Sequence, residues 1–191
     1  MIDTTRLIEI RWHGRGGQGS VTSAELVAQA AISEDKYAQA FPSFGPERRG
    51  APVLAFNRID SKEPVRIRAE ITQPDVVVVL DPGLLAIVNV ASGLKEKGIV
   101  IINTKKTAGQ IRSEFAIKGR LATVDATGIA RELLGVPIVN TTMIGALIKA
   151  TGVIKLESMD KPLEKRFGRL AERNFRAMER AYKETLIGEQ Q

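Results

Sequence analysis

Nine residues near the start of the chain limit its fold more than any others: Trp12-His13-Gly14-Arg15-Gly16-Gly17-Gln18-Gly19-Ser20. Before them, Leu7-Ile8-Glu9-Ile10-Arg11-Trp12 alternates as a strand does, and after them Ser20 to Asp35 reads as a helix. Strand, glycine cluster and helix in that order make a tight turn. Its amides, with the helix N-terminus, converge on one point that suits an anion such as a phosphate. The spacing Gly14-x-Gly16-x-x-Gly19 fits the dinucleotide fingerprint, although glycines at strand-to-helix turns also meet purely steric needs.

The helix after the turn carries Ala24, Leu26, Val27, Ala28, Ala30, Ala31 and Ile32, small or apolar residues on most sides, and should be buried close against a sheet. Thr22-Ser-Ala-Glu25 has the form of a capping box near its start. Tyr37 to Phe41 reads as extended. The segment Pro42-Ser43-Phe44-Gly45-Pro46-Glu47-Arg48-Arg49-Gly50-Ala51-Pro52 then excludes regular structure, and Glu47, Arg48 and Arg49 are candidates for an anion clamp. Val53–Ile59 and Val65–Ala69, joined by Asp60–Pro64, predict an antiparallel hairpin. In the second run Val65, Ile67 and Ala69 face one way and Arg66 and Arg68 the other, as in a sheet with one face wet or covered by a partner.

Val76–Leu80 predicts a buried strand, followed by Asp81 as N-cap and Pro82 as the first residue of a helix ending at Lys97-Gly98. Ile99–Ile102 and Leu121–Val124 are further strands, with helices expected at Ala108–Phe115, Thr127–Leu134 and Met143–Ala150. Gly135–Val139 reads as one more extended run, and Leu156–Phe167 and Arg169–Leu186 as a helical C-terminus. The predicted architecture is α/β: a single Rossmann-like three-layer domain over 1–191. Its sheet is mixed and mostly parallel, with one antiparallel hairpin and a helical extension from about 155 to 191. Strand ends then fall at His13, Asp81, Asn103, Asp125 and Asn140, along the edge where ligands of open α/β sheets bind. Asp and Asn also suit those positions as helix caps.

Composition removes several functions. The chain has no cysteine, which excludes disulfides, thiolate zinc sites, a cysteine nucleophile and cysteine ligation of an iron–sulfur cluster. Its net charge of +6 favours anionic ligands or an acidic partner. The basic residues are interspersed with acids, however, and no basic, aromatic-interleaved patch points to nucleic acid. Apolar runs fall well short of the ~20 residues a membrane span needs. The opening residues have no signal-peptide pattern, so a cytoplasmic protein is expected.

A complete reaction centre is missing. A nicotinamide site wants an acid at the end of the second strand, roughly 20 residues after the turn, and Tyr37–Pro42 offers none. No Gly-Lys-Ser/Thr follows the glycines, His13 is the only histidine, and no Gly-x-Ser-x-Gly turn exists. Asp81 and Asp125 are the carboxylates that a shared metal would use, with nothing in the sequence to single them out.

Taken together, three groups of residues resemble the gamma subunit of the pyruvate:ferredoxin oxidoreductase family. The first is Arg11-Trp12-His13-Gly14-Arg15-Gly16-Gly17-Gln18-Gly19. The second is Ala40-Phe41-Pro42-x-Phe44-Gly45-x-Glu47-Arg48-x-Gly50-Ala51-Pro52-x-x-Ala55-Phe56-x-Arg58-Ile59. The third is the set Pro74–Val79, Asn103-Thr104, Val124–Thr127, Asn140-Thr141 and Gly145–Leu147. The resemblance spans nearly the whole chain. Gly50-Ala51-Pro52 leading into Ala55-Phe56 resembles the pyruvate or branched-chain (2-ketoisovalerate) type, not the 2-oxoglutarate type. It implies one subunit of an enzyme that converts a 2-oxoacid and coenzyme A to acyl-CoA and CO2 while reducing ferredoxin. Alpha, beta and delta subunits would be its partners, with thiamine diphosphate, Mg2+ and [4Fe-4S] clusters held elsewhere and no catalytic or metal residue in this chain. On that resemblance Gly14, Gly16, Gly17, Gln18, Gly19, Glu47, Arg48 and Arg49 are expected to line a coenzyme A or intersubunit site. Two rival readings remain open at the sequence level: a non-catalytic assembly scaffold and a free-standing NAD(P)-dependent oxidoreductase.

Overall fold

The alternating run before the glycine cluster forms β1 (Ile8–Arg15), an inner strand of the sheet. Ile8, Ile10 and Trp12 point to one face, and Glu9, Arg11 and His13 to the other. A computed structural model describes residues 3–4, 6–43 and 50–188. The other strands are β2 (Tyr37–Pro42), β3 (Pro52–Asp60), β4 (Val76–Val79), β5 (Ile99–Asn103), β6 (Arg120–Val124) and β7 (Leu186–Gly188), in the order β2-β3-β1-β4-β5-β6-β7. Five run one way; β3 and β7 oppose them.

Strand alternation builds two cores. Val76, Val78, Ile99, Ile101 and Ala122 meet α1 (Ser20–Ser33), α3 (Ala126–Leu134), α4 (Asn140–Thr151), α5 (Asp160–Phe167) and α6 (Ala171–Glu184) on one face. Val77, Val79, Val100, Ile102 and Leu121 meet α2 (Ala108–Phe115) and a 3-10 turn, Pro82–Ala86, on the other. Over β1 and β3 the second face is polar and covered by irregular chain. There Arg11 donates to the carbonyls of Ile71 (3.3 Å), Val90 (3.0 Å) and Ser92 (2.6 Å). Arg58 pairs with Glu9 (3.0 Å) and donates to the carbonyls of Ile67 (3.0 Å) and Ala69 (2.7 Å). These cations satisfy the backbone that no ladder reaches.

Several expectations are corrected. The hairpin of Val53–Ile59 with Val65–Ala69 does not form, because β3 already has β1 on one edge and β2 on the other. The antiparallel hairpin is β2 with β3. The helix expected over Pro82–Lys97 stops at Ala86, because Arg11 draws off the Val90 and Ser92 carbonyls. Gly93, at φ 72°, also packs where a Cβ would run into the Thr72 carbonyl. Gly135–Val139 is not a strand. Gly135 ends α3 in the left-handed conformation and Pro137 follows. The C-terminal helices form as expected, but the chain then returns to the sheet as β7. Thr22 lies inside the first turn of α1, whose N-cap is Gly19, so no capping box forms there.

Candidate functional site at the glycine turn

The chain leaves β1 toward α1 and β2 on one side and comes back to β4 on the other, so the carboxyl ends of β1 and β4 flank a topological switch point. The glycine turn stands there. Gly17 and Gly19 have φ of 92° and 82°, which an L side chain rarely adopts. A Cβ on Gly14 would run into the Ser20 hydroxyl, and one on Gly19 would meet the side chain of Asn140. The last glycine therefore permits close approach of α1 to α4, not of helix to strand as the fingerprint suggested.

Polar side chains lock the turn. Gln18 accepts from the Arg15 N–H through Oε1 (2.7 Å) and donates to Asp81 through Nε2 (3.1 Å). Arg15 donates from Nε to Asp81 (2.7 Å) and from Nη1 to the Gly50 carbonyl (3.0 Å), while the Gly16 amide donates to the Ala51 carbonyl (3.0 Å). Asp81 also accepts from the Gly83 amide (2.8 Å), as the expected N-cap. Partial burial pushes the Asp81 carboxyl up, but the Gly83 amide, Arg15 and Gln18 outweigh it and hold the carboxyl below its ordinary value. Asn103, at the end of β5, donates to the Leu80 carbonyl (2.8 Å) and to the Thr127 hydroxyl (2.9 Å). Between these groups lies a cavity of about 330 Å³ lined by Gly17, Gln18, Asp81, Asn103, Thr127 and Ile138, among others.

Two features suit a polar ligand. Among the described residues, no side chain caps α1, and the buried Ser20 hydroxyl in its first turn has no hydrogen-bond partner. One feature opposes a phosphate directly at the mouth: the Asp81 carboxylate, kept charged by the Gly83 amide, Arg15 and Gln18.

The structure thus brings Gly14, Gly16, Gly17, Gln18 and Gly19 together at one edge. Glu47, Arg48 and Arg49 lie outside the described residues; the base of their segment, Gly50-Ala51, is tied to the turn. His13 is not at the crevice. It lies within β1 on the opposite-facing polar layer, with Nε2 accepting from Arg11 Nε at 3.0 Å. Asp125 caps α3 through the Gly128 amide (2.9 Å) and faces Lys105, so Asp81 and Asp125 serve separate helix starts. Among the described residues no group of three or more His, Cys, Asp or Glu converges as a metal site. Arg15 is not among the residues expected from sequence; its place inside a Gly-x-Gly turn is the available signal. The nicotinamide reading fails on topology as well: β3 intervenes between β1 and β2, and β2 ends in Phe41-Pro42.

The family model of pyruvate ferredoxin/flavodoxin oxidoreductase matches residues 9–184. The chain is 56% identical to the pyruvate/ketoisovalerate oxidoreductases common subunit gamma of Thermococcus kodakarensis, over 96% of this chain and all of that one. It is 53% identical to pyruvate synthase subunit PorC of Methanothermobacter marburgensis, over 92% of this chain and 96% of that one. The crystal structure of pyruvate oxidoreductase subunit PORC from Thermotoga maritima superposes with a TM-score of 0.85 at 41% identity, covering 96% of this chain and 99% of that one. The same fold recurs within a longer chain, the 2-oxoglutarate:ferredoxin oxidoreductase of Magnetococcus marinus, with a TM-score of 0.74 at 18% identity over 93% of this chain and 31% of that one. With a family model matched over residues 9–184 and relatives more than half identical from end to end, the chain belongs to the pyruvate ferredoxin/flavodoxin oxidoreductase family.

Proposed function

We infer that this chain is the gamma subunit of a multisubunit 2-oxoacid:ferredoxin oxidoreductase acting on pyruvate. The observation that carries the reading is the 56% identity, end to end, to a subunit named as common to pyruvate and ketoisovalerate oxidoreductases. The complex joins the acyl group of pyruvate to coenzyme A, releases CO2 and passes two electrons to ferredoxin. The shared-subunit name of that relative also favours a branched-chain 2-oxoacid as a second substrate class.

In this reading the chain contributes no reaction centre of its own. With no cysteine it has no thiolate to hold a cluster, so the iron–sulfur centres belong to partner subunits, and this reading assigns thiamine diphosphate to the alpha, beta and delta partners as well. No helix among the described residues is long and apolar enough to cross a membrane, and the cytoplasm is the compartment this reading assigns.

The glycine turn, Glu47, Arg48 and Arg49 line a coenzyme A or intersubunit site in this reading. The cavity, the uncapped α1 and the Arg15 link to Gly50 support it. Since Asp81 holds negative charge at the mouth, phosphates fall to the loop arginines and the ligand's uncharged part to the cavity. The test is purification of the assembled complex from native extract, with iron and thiamine analysis, followed by Arg48→Ala and Arg49→Ala. Copurified cofactor-bearing subunits and a raised KM for coenzyme A are expected. A chain that purifies without such subunits overturns the subunit reading, and an unchanged KM with unchanged assembly overturns the site.

A further inference from the structure

Arg15 is the last residue of β1 and stands opposite Pro52 of β3, which has no N–H to offer the ladder. Both polar groups of its backbone turn to Gln18 instead. The Arg15 N–H donates to Gln18 Oε1 (2.7 Å), and the Gln18 N–H donates to the Arg15 carbonyl (3.0 Å). The side chains close the same loop. Arg15 Nε and Gln18 Nε2 both donate to Asp81 Oδ2, at 2.7 Å and 3.1 Å, while Oδ1 takes the Gly83 amide at 2.8 Å. The three residues form a ring of hydrogen bonds in which neither the Gln18 amide nor the Asp81 carboxylate turns alone.

The guanidinium has a second arm. Nη1 donates to the Gly50 carbonyl (3.0 Å), beside the bond from the Gly16 amide to the Ala51 carbonyl (3.0 Å). Nη2 lies over Gly83, 3.4 Å from where a Cβ would stand. One planar group therefore spans three segments: the glycine turn, Asp81–Gly83 and the chain entering β3. Gln18 and Asp81 line the cavity at the turn, and Arg15 does not. Arg15 acts on a ligand there by holding the groups that touch it.

We propose that Arg15 is a positioning residue for the candidate site, fixing the Gln18 amide and Asp81 carboxylate in the cavity wall and tying that wall to Gly50. The proposal rests on the reading that coenzyme A binds at this turn. Lysine is a poor substitute, since one ammonium on a flexible stem does not reproduce the two fixed directions in which the guanidinium meets Asp81 and Gly50. The Arg15 and Asp81 side chains are 30% and 20% exposed, so the pair adds only modestly to stability and the fold should survive its loss.

The test uses the purified complex with coenzyme A as the varied substrate. Arg15→Gln should raise KM for coenzyme A about tenfold and leave kcat within about twofold, with Arg15→Lys between it and the unsubstituted complex. Asp81→Asn keeps an oxygen for the Gly83 amide but turns its NH2 toward two donors, Arg15 Nε and Gln18 Nε2, and so opens the ring without uncapping the turn. The double variant should be no worse than the poorer single one. In Arg15→Gln the Gly16 amide should exchange with deuterium roughly tenfold faster, as the turn parts from the chain entering β3. Where Arg15→Gln does not assemble, Arg15→Lys carries both measurements. Additive KM effects, a fall in kcat at unchanged KM, or unchanged exchange at Gly16 overturns the proposal. If Arg48→Ala and Arg49→Ala raise KM and Arg15→Gln does not, the positioning role alone falls. If none of these variants raises KM, the coenzyme A reading falls and the proposal with it.

Discussion

Arg11 donates its Nε–H to His13 Nε2, and the burial of that pair within β1 sets the protonation of the histidine. Burial, and after it the Arg11 charge, push the His13 pKa down to about 3. The folded chain thus keeps a neutral imidazole while the unfolded chain takes up a proton below the ordinary value of about 6.5. The stabilisation is fully present above that value and drains away as pH falls toward 3, at up to about 1.4 kcal/mol per pH unit. Urea midpoints at pH 7, 6, 5 and 4 should fall accordingly. His13→Gln should be less stable at pH 7 but should lose this part of the slope; parallel pH profiles would rule the assignment out. At the site, Asp81→Ala removes the cap at Gly83 and strands Arg15 and Gln18, for a cost of about 1–2 kcal/mol. Asp81→Asn keeps the cap and should cost less, which thermal melts of the two variants will order.

Helix α4 crosses α6 at Gly145, where a Cβ would run into the Met178 carbonyl and crowd the Tyr182 amide. Two helix backbones cannot separate there without opening the core of Met143, Leu147 and Met178, so Gly145→Ala should cost about 1–3 kcal/mol. Gly135, at φ 76°, has open space where a Cβ would stand, so it faces only backbone strain, and Gly135→Ala should cost about 1 kcal/mol. Denaturant midpoints that reverse this order would show that α4 and α6 yield more readily than their spacing implies. Elements whose apolar pattern matched their period were legible in the sequence: β1, α1, β4, β5, α2, β6 and α3 stand within a few residues of expectation. The misreadings share a cause. Val65–Ala69 has the period of a strand, but β3 had no free edge to offer it. Pro82–Lys97 has the period of a helix, but Arg11, distant in sequence, claimed its carbonyls. At the candidate site the glycines were legible from spacing alone; the Arg15–Asp81–Gln18 lock was not, because it joins residues 66 and 63 positions apart.

At the scale of the molecule, the sheet decides whether the C-terminal helices are a separate extension or part of one folding unit. We propose the latter. β1 lies inside the sheet, while the last strand, β7, closes the far edge by pairing Leu186–Gly188 with Leu121–Thr123 of β6. Between them α6 packs on α4 and α3, burying Ala177, Met178 and Ala181 in the same core as Trp12. Trp12 is the single tryptophan, fully buried in β1, and its indole N–H donates to Asn57 at 2.8 Å, so its fluorescence reports the sheet. Far-UV circular dichroism reports mainly the helices, of which α5 and α6 are a substantial share. If the chain is one cooperative unit, urea unfolding followed by the two signals gives a single coincident transition. Separate midpoints, with helix signal lost first while Trp12 stays buried, would instead mark residues from about 155 onward as an extension that unfolds alone. The shared core and the returning strand predict coincidence, and with it that truncating the chain before β7 lowers the tryptophan midpoint although Trp12 is four strands away.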